Sequence, residues 1–330
     1  MLKTNRIAIL AVIIALVVIL NVLPARQAAA EDTPQNGESD IDLLSILAAL
    51  PAAPEDYQQI VKTGGEIESR YMANGPYAVS VHEDLALQIF SKYTVYYPTE
   101  METADRKYPV IVLCNGTGTP LSKYPAVARH FASWGFIVIG TEETYSWNAF
   151  GAEMCLRYLE RMNENAQIEG TDSLFYGKVD LDNVGVVGHS QGGVGVINAI
   201  TDTAHQSAYK AAVALSPTNK ELAHNLFWDY DATLVNSPIM LVSGEGGGDD
   251  WVVTGEQLDA IYDDIPGNKI KMRRANTPHG EMLYAVDGYV TAWFMWQLQG
   301  DEEAALAFIG ENPEFAANQL YLDQRIDLTE

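Results

Sequence analysis

Positive charge and cysteine are the two scarce commodities of this 330-residue chain. Twenty Lys and Arg stand against 44 Asp and Glu, a formal charge of −24. No basic surplus exists to neutralise phosphates, which excludes nucleic-acid binding. Two cysteines exclude a disulfide-dense scaffold. Long polar tracts are also missing, so the chain is not a disordered protein. The longest apolar run covers residues 7–20, short of the roughly 20 residues that span a bilayer, which argues against a polytopic membrane protein. Hydrophobic residues are plentiful at 48%, enough for a sizeable core.

That apolar run follows Lys3 and Arg6 and is ended by Pro24 and the small residues Ala28, Ala29 and Ala30. A charged start, a hydrophobic stretch and an AxA-type site predict a secretory signal over residues 1–30, cut after Ala30. The alternative is an uncleaved helix anchoring the protein to the membrane. Cleavage removes Lys3, Arg6 and Arg26 and no acid, taking the charge from −24 to −27. Such a body is soluble and avoids anionic lipid, so the expectation is a secreted or periplasmic protein with no stable membrane insertion.

Residues 31–40 are polar with Pro and Gly and read as a flexible linker. The remainder, 41–330, reads as one domain with an N-terminal helical extension, residues 41–50 and 55–71 having helical spacing. Strands are predicted at 78–81 and 90–97. Short apolar strands at 110–113, 136–139, 184–187, 211–215 and 239–242 alternate with helical patterns at 124–134, 147–162, 191–203, 254–265 and 282–298. Continuous apolar strands are those of a parallel sheet covered on both faces, so the fold class is α/β with a mostly parallel central sheet flanked by helices.

The strand at 184–187 runs into Gly188, His189, Ser190, Gln191 and Gly192, and a helix pattern follows at once. GxSxG between a strand and a helix makes a turn tight enough to project the serine hydroxyl from the sheet. Ser190 is the candidate nucleophile. A serine needs a base, and the histidine should follow it in sequence. His82 and His130 precede Ser190, His189 and His205 sit in or just after the elbow and its helix, and His224 lies in a polar connection. His279, in a loop before the last long helix, is the candidate base. A carboxylate must orient it from the end of an intervening strand. After 239–242 three acids compete, Glu245, Asp249 and Asp250, and Asp250 is favoured because a glycine-rich loop would lift it to the sheet's edge. The backbone N–H groups of Gln191 and Thr117 are candidate oxyanion donors, while Asn115 reads as a turn residue. Trp251 and Tyr145, on loops at the C-terminal edge of the strands, and His189, beside the nucleophile, are candidate substrate contacts. Cys114 and Cys155 read as either a disulfide or two buried thiols.

The stretches YPVIVLCNGTG, HFASWGFIVIGTE, VGVVGHSQGG, IMLVSGEGGGDDW and PHGEMLYAVDGYVTAWFMWQL, with the order Ser190, Asp250, His279, resemble the α/β-hydrolase superfamily. From about residue 75 to 298 the chain resembles the branch that includes chlorophyllase, dienelactone-hydrolase-like proteins and bacterial cutinases or polyester hydrolases. Gln191 stands where polyester hydrolases usually carry methionine, and Ser216, Pro217 and Thr218 where they carry a tryptophan. The resemblance implies a secreted serine esterase using neither metal nor organic cofactor. Some two dozen residues between 215 and 239 are too few for a large lid domain. The expected function is hydrolysis of a small-molecule or polymeric carboxylic ester through an acyl-enzyme, with activity rising through roughly pH 6 to 8, the ordinary histidine range. Peptide or amide hydrolysis, acyl transfer, and a non-catalytic secreted binding protein are the alternatives.

Overall fold

The structure is a computed structural model that describes residues 51–168, 171–246 and 248–329; the predicted signal, linker and 41–50 helix lie outside them. Nine strands form one sheet: β1 (Val79–Leu85), β2 (Lys92–Pro98), β3 (Tyr108–Cys114), β4 (Ile137–Thr141), β5 (Val179–His189), β6 (Tyr209–Leu215), β7 (Ile239–Gly244), β8 (Lys269–Arg274) and β9 (Tyr321–Asp327). Their spatial order is β1-β2-β4-β3-β5-β6-β7-β8-β9. From β4 to β8 neighbours run parallel, whereas β1, β2 and β9 attach antiparallel at the two margins.

The continuous apolar runs are explained by burial on both faces. All seven residues of β3 are buried. Ile111 and Leu113 enter one core while Val110, Val112 and Cys114 enter the other, because successive side chains of a strand point to opposite faces. Helices α1 (Glu66–Met72), α2 (Pro125–Ser133) and α8 (Asp287–Gln299) cover the first face. Helices α3 (Phe150–Glu164), α4 (Gln191–Thr201) and α7 (Gly255–Asp264) cover the second. Short helices α5 (Lys220–Asn225) and α6 (Asp249–Val252) lie in the connections after β6 and β7.

Two expectations change in detail, and one strand is added. The helix at 55–71 is broken into a single turn, Tyr57–Ile60, and α1. The pattern at 282–298 divides into a 3-10 turn, His279–Leu283, and α8. Beyond α8 the chain adds β9, which alternates buried and exposed residues only weakly and went unrecognised in the sequence.

These terminal segments have a physical task. Helix α8 is apolar all round, so its outer side must also be covered. Phe308 packs on Trp293 at a ring separation of 5.4 Å, and Phe315 on Tyr289 at 5.7 Å. A buried polar clasp holds the cover in place. Glu68 of α1, fully buried, accepts hydrogen bonds from Asn318 Nδ2 (2.8 Å), Gly64 N (2.6 Å) and the Tyr321 hydroxyl, and pairs with Arg274 of β8 at 3.1 Å. Glu314 in turn caps the start of α1, accepting from Ile67 N at 2.8 Å and Glu68 N at 2.9 Å. Its charge favours the positive end of the helix.

Candidate active site

Ser190 occupies the single residue between the end of β5 and the start of α4, with φ 61° and ψ −120°. An L-residue held there is strained, and such strain persists only where surrounding contacts enforce it. A side chain at Gly188 would strike the Gly192 carbonyl, its Cβ lying 2.4 Å from the oxygen, and one at Gly192 would strike the Cys114 carbonyl at 2.1 Å. The two glycines therefore let β5, α4 and the end of β3 close around the turn. Ser190 N donates to Leu215 O at 2.8 Å, and Gly193 N donates to Ser190 O at 2.9 Å.

His279 begins the 3-10 turn after β8 and is buried. Its Nδ1 donates to Asp249 Oδ1 at 2.7 Å. Asp249 is fully buried, and its other oxygen accepts from Ser216 Oγ at 2.9 Å and from Gly244 N. These donors hold the carboxylate in one orientation and leave Oδ1 to the imidazole. The remaining ring nitrogen, Nε2, is thus the one free to take a proton. Among the described residues the Ser190 hydroxyl makes no hydrogen bond to His279, and such bonds are often long in unliganded sites.

Asp250, favoured in the sequence, is not the acid that meets His279. Gly248, at φ 94°, turns the chain into α6, and successive side chains of a helix point about 100° apart. Asp249 consequently faces inward, while Asp250 is 54% exposed and pairs with Arg273 at 2.9 Å. Among the described residues Glu245 takes a long bond from Asn276 N, 3.4 Å, and none from His279.

Gln191 supplies the first amide of α4, where no preceding turn offers a carbonyl partner. Its side chain is a brace: Oε1 accepts from Ser146 N at 2.8 Å and Nε2 donates to Thr117 Oγ1 at 3.2 Å. The start of α4 and the loop carrying Thr117 are thereby tied to each other. Asn115 is much more than a turn residue. Its Nδ2 donates to Thr141 O and Glu143 O, both at 2.8 Å, its Oδ1 accepts from the Tyr124 hydroxyl, and its carbonyl accepts from Ser146 Oγ. No local pattern marks this role, since the partners lie from 9 to 31 positions away along the chain.

His189 is a second correction. Expected to touch substrate, it is 2% exposed, and its Nε2 donates to the backbone carbonyl of His279 at 2.8 Å. Burial and the neighbouring imidazole of His279 hold its pKa well below the ordinary histidine value, so the ring is neutral. Trp251 and Tyr145 are exposed on the connections that follow β7 and β4. The other four histidines lie elsewhere: His130 bonds Ala73 O (3.1 Å), His205 bonds Glu153 (3.0 Å), His224 bonds Asp229 (2.7 Å), and His82 packs edge-on against Phe175 (5.5 Å between ring centroids). Cys114 and Cys155 are free, buried thiols, and burial raises both pKa values. Glu143 is buried beside them on the loop after β4, with no cation bonded to it among the described residues, and burial lifts its carboxyl pKa to about 7. No group of three or more His, Cys, Asp or Glu among the described residues could hold a metal ion, nor is any helix among them long and apolar enough to cross a membrane.

Residues 62–309 match the model of the family described as PETase, PET hydrolase-like. The chain is also similar to the bis(hydroxyethyl) terephthalate hydrolase of Streptomyces coelicolor, 26% identical over 198 residues, which cover 59% of this chain. The match spans 57% of that relative's own length.

Proposed function

We propose that this chain, which belongs to the PET hydrolase-like family, hydrolyses carboxylic esters with Ser190 as nucleophile, His279 as general base and Asp249 as the residue that orients the base. The carrying observation is the pairing of a strained serine at a strand-to-helix turn with a buried Asp249–His279 hydrogen bond at the same edge of the sheet. In the first half-reaction Ser190 Oγ attacks the ester carbonyl and its proton passes to His279 Nε2. The oxygen that becomes negative is met by the amides of Gln191 and Thr117. Collapse expels the alcohol, which takes the proton from His279, and leaves an acyl-serine. Water then attacks that ester with His279 again as base, and the carboxylic acid departs. Asp249 stabilises the imidazolium in both halves without itself taking the proton.

The substrate we infer is a small or aromatic carboxylic ester, because the Streptomyces relative is named for a terephthalate diester. Residues 1–30 fit a leader removed on export, which would deliver the enzyme to the periplasm or the medium. The test is turnover of p-nitrophenyl acetate, butyrate and octanoate and of bis(hydroxyethyl) terephthalate by the protein starting at Glu31, beside Ser190→Ala and His279→Ala. Loss of about a thousandfold or more in both variants supports the reading. Equal rates in all three proteins would overturn it.

A further inference from the structure

From the buried contact between neighbouring functional loops we infer that His189 is a positioning residue, anchoring the main chain of the general base to the nucleophile's own strand. The inference rests on the esterase reading above and deepens it. The last residue of β5 and the turn residue after it face different partners: Ser190 opens toward the site, while the His189 side chain passes beneath His279. A carbonyl only accepts, so His189 Nε2 must carry the proton, and the bond to His279 O at 2.8 Å defines the tautomer. The two rings are in close tilted contact, 4.4 Å between centroids and 38° between planes.

His279 is thus held at two points by two different strands. Asp249, after β7, grips Nδ1 and sets the rotation of the ring. His189, on β5, grips the backbone and sets where the residue sits relative to Ser190. One peptide link, the rigid ring side chain of His189 and one hydrogen bond separate the nucleophile from the base's main chain, so error in their spacing has little room to accumulate. Rates of acyl transfer depend steeply on such spacing. The tautomer also suits the chemistry: a neutral His189 beside His279 adds no positive charge opposing the imidazolium that forms during attack.

His189→Phe keeps a flat ring and removes the donor; His189→Gln keeps an N–H at a similar reach. With p-nitrophenyl butyrate, His189→Phe should lose about tenfold in kcat with KM unchanged, the factor one buried hydrogen bond carries, and His189→Gln should recover most of it. Unchanged kcat in His189→Phe, or a raised KM at constant kcat, overturns the inference; the second result would make His189 a substrate contact. A readout independent of turnover is the low-field proton resonance of His279 Nδ1–H. It should broaden or move in His189→Phe and persist in His189→Gln; persistence in both overturns the anchoring. Wild-type protein with no esterase activity would sink the functional reading alone, and the proton resonance would still decide the role of His189.

Discussion

Replacing Glu143 with glutamine should stabilise the protein, and only at the alkaline end of its range. Glu143 sits on the loop between β4 and α3 with its carboxyl packed over Gly151, so close that a Cβ on that glycine would lie 1.7 Å from Oε1. Cys114 and Cys155 are neighbours and neither supplies positive charge. Burial moves the carboxyl from its ordinary value of 4.5 to about 7. The folded state therefore holds a proton that the unfolded chain has already released between those two pH values. Stability contributed by the protonated form is complete below about 4.5, falls as pH rises, and is gone above about 7. With 1.36 kcal/mol for each tenfold change, the penalty at pH 8.5 is about 3 kcal/mol. Glutamine has the same shape and does not titrate. Urea unfolding of both proteins at pH 5, 6, 7 and 8.5 should give nearly equal free energies at pH 5. At pH 8.5 Glu143→Gln should gain up to about 3 kcal/mol, on the order of 5–10 °C in Tm for a domain of this size. A difference that does not depend on pH, or a variant less stable than the parent at pH 8.5, would refute the argument that burial alone governs this carboxyl.

Asp249→Asn should reduce kcat on p-nitrophenyl butyrate by about three to four powers of ten, because the amide presents the wrong partner to His279 Nδ1, whereas Asp250→Asn should retain activity within about threefold; equal losses would return the role to Asp250. Glu68→Gln removes one half of a buried pair and leaves Arg274 charged and uncompensated, so it should cost about 3–5 kcal/mol and lower Tm by on the order of 10 °C, read by calorimetry; an unchanged Tm would show that the clasp contributes nothing to stability. A thiol reagent should find no reactive cysteine in native protein and two equivalents after denaturation without reductant, since Cys114 and Cys155 are buried and free; zero equivalents after denaturation would reveal a disulfide.

Much of this protein is legible along the chain because its signals are local. An apolar run such as 110–113 needs no partner to declare that both its faces are covered, and Gly188, Ser190 and Gly192 describe a turn through the space their side chains occupy. His279 stood out by its order after Ser190 and its place in a loop before a helix. What stayed hidden depends on phase and distance. Whether Asp249 or Asp250 points inward is set by the dihedral of Gly248 and the first turn of α6, and a one-residue choice of that kind leaves no mark in composition or periodicity. His189 looked like a pocket residue because it neighbours the nucleophile; only the fold brings a carbonyl 90 positions away over its ring nitrogen. Nothing in the sequence sets Glu68 apart from the other acids; it is the closing of α1, β8 and β9 around it that makes it a buried partner of Arg274 and Tyr321. Local sterics and hydrophobic pattern thus determined the layers and the nucleophile, while the pairing of buried charges and donors, which needs groups from distant segments at hydrogen-bond range, was decided by the tertiary structure.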